Sequence, residues 1–272
     1  MALVTDRWYC TLDALRAEIG DETTDNDARL GRYIAQASRW LEDYTERTFY
    51  PVSETKHFDA PCRDTDRLFL EYADLLTVDT LTDGEGAIAS GNYWLYPLNL
   101  TPAHSIVLDT TALGRGFRYA STPQRAIAVA GQWGWCADYI STGHVLGAAI
   151  STTTATRIDV GGTAEVGMML LVDDEAMHVS AVSGAIATVQ RGALGTTAAT
   201  HSSGASVWMY RPPADVALAV SVLAASYNNT RAAGGIKSER IEDYSITYAT
   251  GGDESVPPVT LTVANRYRRI GP

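Results

Sequence analysis

The residues whose chemistry must be tested first lie between Met168 and Ala205, in MMLLVDDEAMHVSAVSGAIATVQRGALGTTAATHSSGA. They are Asp173, Asp174, Glu175, His178 and His201. Carboxylates and imidazoles this close in sequence are the raw material of a zinc site or of general acid–base catalysis. A zinc site needs three or four ligands converging on one point. In a strand, Asp173, Glu175 and Met177 share one face, while Asp174, Ala176 and His178 share the other. Asp174 and His178 are then about 13 Å apart along the strand, too far to hold one ion. His201 joins such a site only through a fold that spacing does not dictate. DDE also has the composition of a turn between LLV and MHV. The expectation is a β module whose polar residues occupy turns, with no catalytic residue, metal or cofactor. On this reading the protein is not an enzyme.

No other motif competes. GxSxG, HExxH, GxxxxGK[ST] and GxGxxG are all absent. His57, His104 and His144 are scattered among turn-like sequence. Cys10, Cys62 and Cys136 are odd in number and form no CxxC pair, which argues against a disulfide framework or a thiolate zinc site. Tyr93, Trp94, Tyr96, Phe117, Tyr119, Trp133 and Trp135 make a dense aromatic stretch, read as a compact β core, with an aromatic ligand platform as the alternative. Arg266, Arg268 and Arg269, with Tyr267 among them, form the one dense basic cluster. It is a candidate for pairing with acidic residues of another subunit, with a plain solvated end and phosphate contact as the alternatives.

Elements must position these groups. TLDALRAEIG reads as a helix over 11–19, capped by Thr11 and stopped by Gly20. A second helix is expected over 26–48, because Leu30, Ile34, Ala37, Leu41 and Tyr44 recur at spacings of four, three, four and three. From Thr55 to Ala130 the period moves toward two, with Asp83-Gly84 and Gly86 as turn signals. Residues 150–210 are rich in Thr, Ala, Gly and Val and read as strands joined by tight turns, an inserted all-β domain. A third helix is expected over 213–231, opened by Pro212 and Pro213 and ended by Gly234-Gly235. No charge lies between Asp215 and Arg231, so this helix is buried on most faces. SERIEDYSITYAT reads as a strand, with Tyr244, Ile246 and Tyr248 alternating. The fold class is therefore α+β: a small helical bundle with a β region, plus the inserted β domain. The core is expected over 1–149 and 211–272.

The formal net charge is −11 over 272 residues, and residues 1–80 hold 17 acidic against 9 basic side chains. Such a chain does not cling to a phosphate backbone, so any nucleic acid it meets passes rather than binds. Asp6 and Arg7 interrupt the start, so no signal peptide is expected. Residues 216–227 are too short an apolar run to span a membrane.

The order of these elements resembles the head–tail connector proteins of tailed bacteriophages, also called adaptor or head-completion proteins. The resemblance rests on TLDALRAEIG, DARLGRYIAQASRWLEDYTERTFYP, LLTVDTLTDGEGAIASGNYWLYPLN, IAVAGQWGW, and the late helix followed by IKSERIEDYSITYA. It covers roughly residues 10–135 and 211–270 and rests on pattern and order, since no catalytic motif defines the family. RGALGTTAATHSSGA resembles the recurrent piece of a β module in several phage structural proteins.

The resemblance implies a homo-oligomeric ring, often of twelve subunits, between the portal protein and a tail or stopper protein. Such a ring extends the DNA channel without binding DNA specifically and gives the tail a docking surface. It implies a place in the neck of the virion after assembly in the host cytoplasm. Arg266, Tyr267, Arg268 and Arg269 are then candidate portal or subunit contacts. Val216, Val220, Leu223 and Tyr227 of the late helix, with Leu30, Ile34 and Leu41, are candidate subunit-interface residues. A tail or baseplate glycan-binding module is the alternative function.

Overall fold

The computed structural model describes residues 7–61, 65–71, 73–232, 238–241, 244–247 and 256–269. The fold is mixed α+β, with several helices and extensive antiparallel sheet. The chain divides into two compact units. One comprises Met1–Glu46, Asp138–Ala193 and Thr197–Pro272, and the other comprises Arg47–Ala137 with Leu194–Thr196.

The first unit opens with α1 (Leu12–Ile19) and α2 (Asp27–Thr45). The Thr11 hydroxyl accepts from Ala14 N at 3.2 Å, and Gly20, at φ 67°, ends α1 in the left-handed conformation that glycine adopts without strain. The stripe of α2 is buried: Leu30, Ile34, Ala37 and Leu41 are all 0 % exposed. The helix stops at Thr45, short of the expected 48. There the Thr45 hydroxyl bonds the Leu41 carbonyl at 2.7 Å and Glu46 turns left-handed at φ 54°. Helix α4 (Ala214–Ala232) packs against α1 and α2. A helix that the sequence did not announce, α5 (Pro258–Tyr267), packs on α4 and α2, with the Thr260 hydroxyl donating to Ala219 O at 3.0 Å. Helices from both ends of the chain thus share one bundle. Burying each large aliphatic side chain there contributes about 1.5–3 kcal/mol.

The same unit holds a six-stranded antiparallel sheet. Its strands are β8 (Tyr139–Val145), β9 (Arg157–Asp159), β10 (Met169–Val172), β11 (Glu175–Ser183), β12 (Ile186–Ala193) and β13 (Ser206–Tyr210), ordered β8-β13-β10-β11-β12-β9. Strand β8 precedes the 150–210 segment, so the sheet draws on sequence upstream of it. The two outer strands meet where they run on: Gly147 N donates to Asp159 O at 3.0 Å, and a Cβ on Gly161 would lie 2.0 Å from Val145 O. The sheet therefore curls toward a small barrel around Leu146, Ile158, Leu170, Val172, Met177 and Val179.

The second unit holds two sheets. One is ordered β1-β7-β3-β4, from β1 (Val52–Phe58), β3 (Leu75–Asp83), β4 (Gly86–Ile88) and β7 (Ile127–Trp133). The other is ordered β2-β6-β5, from β2 (Arg67–Phe69), β5 (Tyr93–Tyr96) and β6 (Ser105–Leu108). Strand β7 alternates buried and half-buried residues along its whole length, the period-two pattern of a strand with one core face. The expected turn at Asp83-Gly84 joins β3 to β4. A one-turn helix, α3 (Thr110–Leu113), is capped by the Asp109 carboxylate. Phe117 and Trp133 are core residues here, whereas Trp94 remains exposed.

SERIEDYSITYAT forms two strands, β14 (Ser238–Ile241) and β15 (Tyr244–Thr247), paired as an antiparallel hairpin. Tyr248 and Cys62 lie outside the described residues. Among the described residues, no helix is long and apolar enough to cross a membrane.

Candidate functional site

Of the residues that opened the sequence reading, Asp173, Glu175 and His201 come together, around the Glu175 carboxylate. Strands β10 and β11 join at Asp173-Asp174, the turn expected of DDE, with Asp173 at φ 51°. Glu175 begins β11 and is 1 % exposed. Arg191, on β12, meets it as a fork: Nε donates to Oε1 and Nη2 to Oε2, both at 2.7 Å. Gly192 N donates to Oε1 and Ala199 N to Oε2, both at 2.9 Å. His201 places Nε2 2.9 Å from Glu175 Oε2 and Nδ1 2.7 Å from Asp173 Oδ2. Whichever ring nitrogen carries the proton, one of these carboxylates accepts it.

Arg191 is spent as fully. Nη1 donates to Thr152 O at 3.2 Å and Ala155 O at 2.9 Å, and Nη2 also donates to Ala199 O. Burial pushes the Glu175 carboxyl up, but Arg191, the Ala199 amide, His201 and the Gly192 amide outweigh it. Together they hold the group down to about 2. Four fixed N–H donors, two from Arg191 and one each from Gly192 and Ala199, match the roughly four lone-pair positions a carboxylate offers, and His201 lies against Oε2 as well. Among the described residues, no group of three or more His, Cys, Asp or Glu side chains is arranged to hold a metal. The arrangement ties Arg191, Gly192, Ala199 and His201 to the start of β11.

His178 does not join this network. It lies on the opposite face of β11, buried, with its ring 5.5 Å from Trp8 in an edge-on contact. Asp174 is exposed in the turn, and Met177 is part of the barrel core. Arg191, Gly192 and Ala199 are the partners that sequence spacing missed. They stand inside RGALGTTAATHSSGA, and an arginine–glycine pair followed by a histidine was the available signal.

A second carboxylate site, half-buried, lies on α2. Glu42 accepts from Arg7 Nη2 at 3.0 Å and Arg39 Nη2 at 2.8 Å, and also from the Tyr9 hydroxyl. Burial nevertheless raises its carboxyl above the usual range, against the pull of Arg7, Arg39 and Tyr9. In the other unit, Asp74 receives Arg47 Nη1 on both oxygens at 2.7 and 2.8 Å, with the guanidinium 4.3 Å over the Trp135 ring.

The expected interface residues are placed differently from the sequence reading. Val216, Val220 and Leu223 of α4, and Leu30, Ile34 and Leu41 of α2, are at most 1 % exposed in the single chain. They pack the chain's own bundle, because an apolar stripe finds its nearest partner within the chain. Tyr227 is half-buried, edge-on to Tyr33 at 6.1 Å. The basic cluster stays at the surface, with Arg266 and Arg268 exposed. Arg266 Nη1 pairs with Asp215 Oδ2 at 3.1 Å, and the Tyr267 hydroxyl lies 3.0 Å from both Asp215 oxygens. Arg269 N donates to Thr45 O at 3.1 Å. Arg268 stays exposed, its guanidinium 5.5 Å over the Tyr44 ring.

His57 and His104 are exposed. His144 helps line a cavity of about 250 Å³ at the barrel, with Met168, Leu170 and Met209 among its apolar walls. No protein-family model matches the chain, and no curated protein matches its sequence.

Proposed function

We propose that this chain is a structural protein of the neck of a tailed bacteriophage, forming a ring between the portal and a tail or stopper protein. The observation that carries the reading is the order of its parts. Helices α1 and α2 from the N-terminal end and α4 and α5 from the C-terminal end pack as one bundle, with the β elements strung between them. The order of α1, α2, the β elements and α4 is the one on which the resemblance to head–tail connectors rests. The saturated network around Glu175 adds support: charged groups that elsewhere do chemistry here hold a loop in place. An acidic ring lets DNA slide instead of sticking.

Light scattering on the purified chain, alone and mixed with its portal protein, tests the proposal. A closed ring near twelve copies is expected, at least in the mixture. A single-chain mass in both samples would overturn it.

One observation favours a glycan-binding reading instead. Trp94 is 46 % exposed and stands on a sheet face with Tyr96 and Phe69. Saturable quenching of tryptophan fluorescence by cell-surface oligosaccharides, abolished by Trp94→Ala, would support it.

A further inference from the structure

The wall of the small barrel is interrupted where β8 pairs with β13. Four steps along β8, from Ser141 to Val145, face two steps along β13, from Ser206 to Trp208. Two extra residues therefore bulge out of the ladder, and Gly143, at φ 75°, makes the turn that this requires. The Thr142 hydroxyl ties the bulge to β13, donating to Val207 O at 2.6 Å and accepting from His144 N at 3.2 Å. The bulge borders the cavity of about 250 Å³. Its inner walls include Val160, Leu170 and Val207, all at most 3 % exposed, with Met168 and Met209 packed beside them. Glu165 N donates to Met168 Sδ at 3.3 Å and so fixes one thioether. The rim is polar, made by the exposed Ser141 and Thr163 and the half-buried His144. The imidazole lies against Gly162, where an added Cβ would stand 2.4 Å from Cε1 and Nε2 and would displace the ring. Among the described residues, nothing hydrogen-bonds the His144 ring nitrogens or the Thr163 hydroxyl.

These walls define the ligand they can take. No carboxylate, lysine or arginine lines the cavity, so an ion would lose its water without gaining a partner. Two methionine thioethers favour an aromatic ring over a saturated one. The volume exceeds the roughly 150 Å³ that admits benzene, which leaves room for a short substituent. The open hydrogen-bonding groups at the rim call for a hydroxyl on the edge of that ring. A sugar would set its hydroxyls against Leu170 and Val207, which cannot satisfy them.

We propose that this cavity binds a single phenol-type ring, packed against Met168 and Met209 with its hydroxyl at His144. All of the walls come from one chain, so the site is complete without a second copy. A free phenol and a tyrosine side chain of a protein partner present the same ring, and the experiment separates them.

The full chain, carrying isotope-labelled methionine methyl groups, is titrated with p-cresol and followed by NMR. The Met168 and Met209 methyls are expected to shift in the ring current and to saturate with a midpoint below about 1 mM. Met169, buried on the opposite face of β10, is expected to stay in place. No shift, or a shift that does not saturate, would overturn the site. Equal binding of cyclohexanol would overturn the aromatic ligand class. His144→Phe keeps a ring over Gly162 but deletes both nitrogens. It is expected to weaken p-cresol binding roughly tenfold and to leave toluene binding unchanged, with the Met169 and Met177 methyls reporting that the variant is folded. An unchanged p-cresol midpoint would overturn the contact to His144. N-acetyltyrosinamide then separates the two sources. Binding at least as tight as that of p-cresol assigns the ring to a tyrosine of a protein partner, and weaker binding assigns it to a free small molecule.

Discussion

Two glutamates paired with arginine are shifted in opposite directions. Glu175 is held down to about 2, whereas Glu42, beside two arginines and a tyrosine hydroxyl, is raised above its ordinary value. Arginine lowers both carboxyls; burial outweighs it at Glu42, whereas at Glu175 two backbone amides and His201 add to it. Glu175 begins a strand opposite a loop whose Gly192 and Ala199 amides are free to point at it. Glu42 sits inside α2, where the neighbouring amides are committed to the helix's own carbonyls. Its partners are long side chains, and Arg39 retains about a third of its exposure. Burial alone does not set the behaviour of a carboxylate; the supply of fixed donors does.

The strongest way to break this contrast is Glu175→Gln. It leaves Arg191, itself 6 % exposed, as a buried charge without its counterion. The expected loss is about 3–5 kcal/mol in urea unfolding of the full chain. His201→Phe removes one donor from Glu175 and the link to Asp173, with an expected loss of about 1.5–3 kcal/mol. A smaller effect is expected in the helical bundle. Thr260→Val deletes the buried bond to Ala219 O while keeping the side chain's shape, at about 1 kcal/mol. Hydrogen exchange would show faster exchange in α5 than in α2.

How far the sequence reveals these sites follows from the range of the contacts. The stripe of α2 and the Thr11 and Gly20 caps are set within a few residues, so periodicity and capping rules find them. The DDE turn is local for the same reason. The Glu175 network joins positions 16 and 26 residues apart, through a loop whose course no local rule fixes. Its members are visible in the sequence, but their convergence is not. Helix α5 is hidden because Val259, Thr260, Thr262 and Val263 are β-branched; packing on α4 overrides their preference. The uncharged run of α4 announces burial correctly but does not say whether its own chain or a second copy provides the cover.

The smallest expected effect gives the sharpest test of the contrast. Glu42→Gln should cost less than about 1 kcal/mol at neutral pH, because burial already favours the neutral form and the partly exposed arginines can be rehydrated. The pH dependence should separate the two sites by sign. Glu175 titrates lower in the folded chain than its ordinary 4.5, so its contribution is present above that value and is lost as pH falls toward about 2. Glu42 titrates higher when folded, so the native chain binds more protons than the unfolded one above 4.5, and stability falls as pH rises through that window. Measured against wild type from acid to neutral pH, the deficit of Glu175→Gln should widen, while that of Glu42→Gln should narrow or reverse. Urea midpoints for the three proteins across that range decide it. Two difference curves of the same sign would mean that arginine, and not the backbone amides, governs both carboxylates.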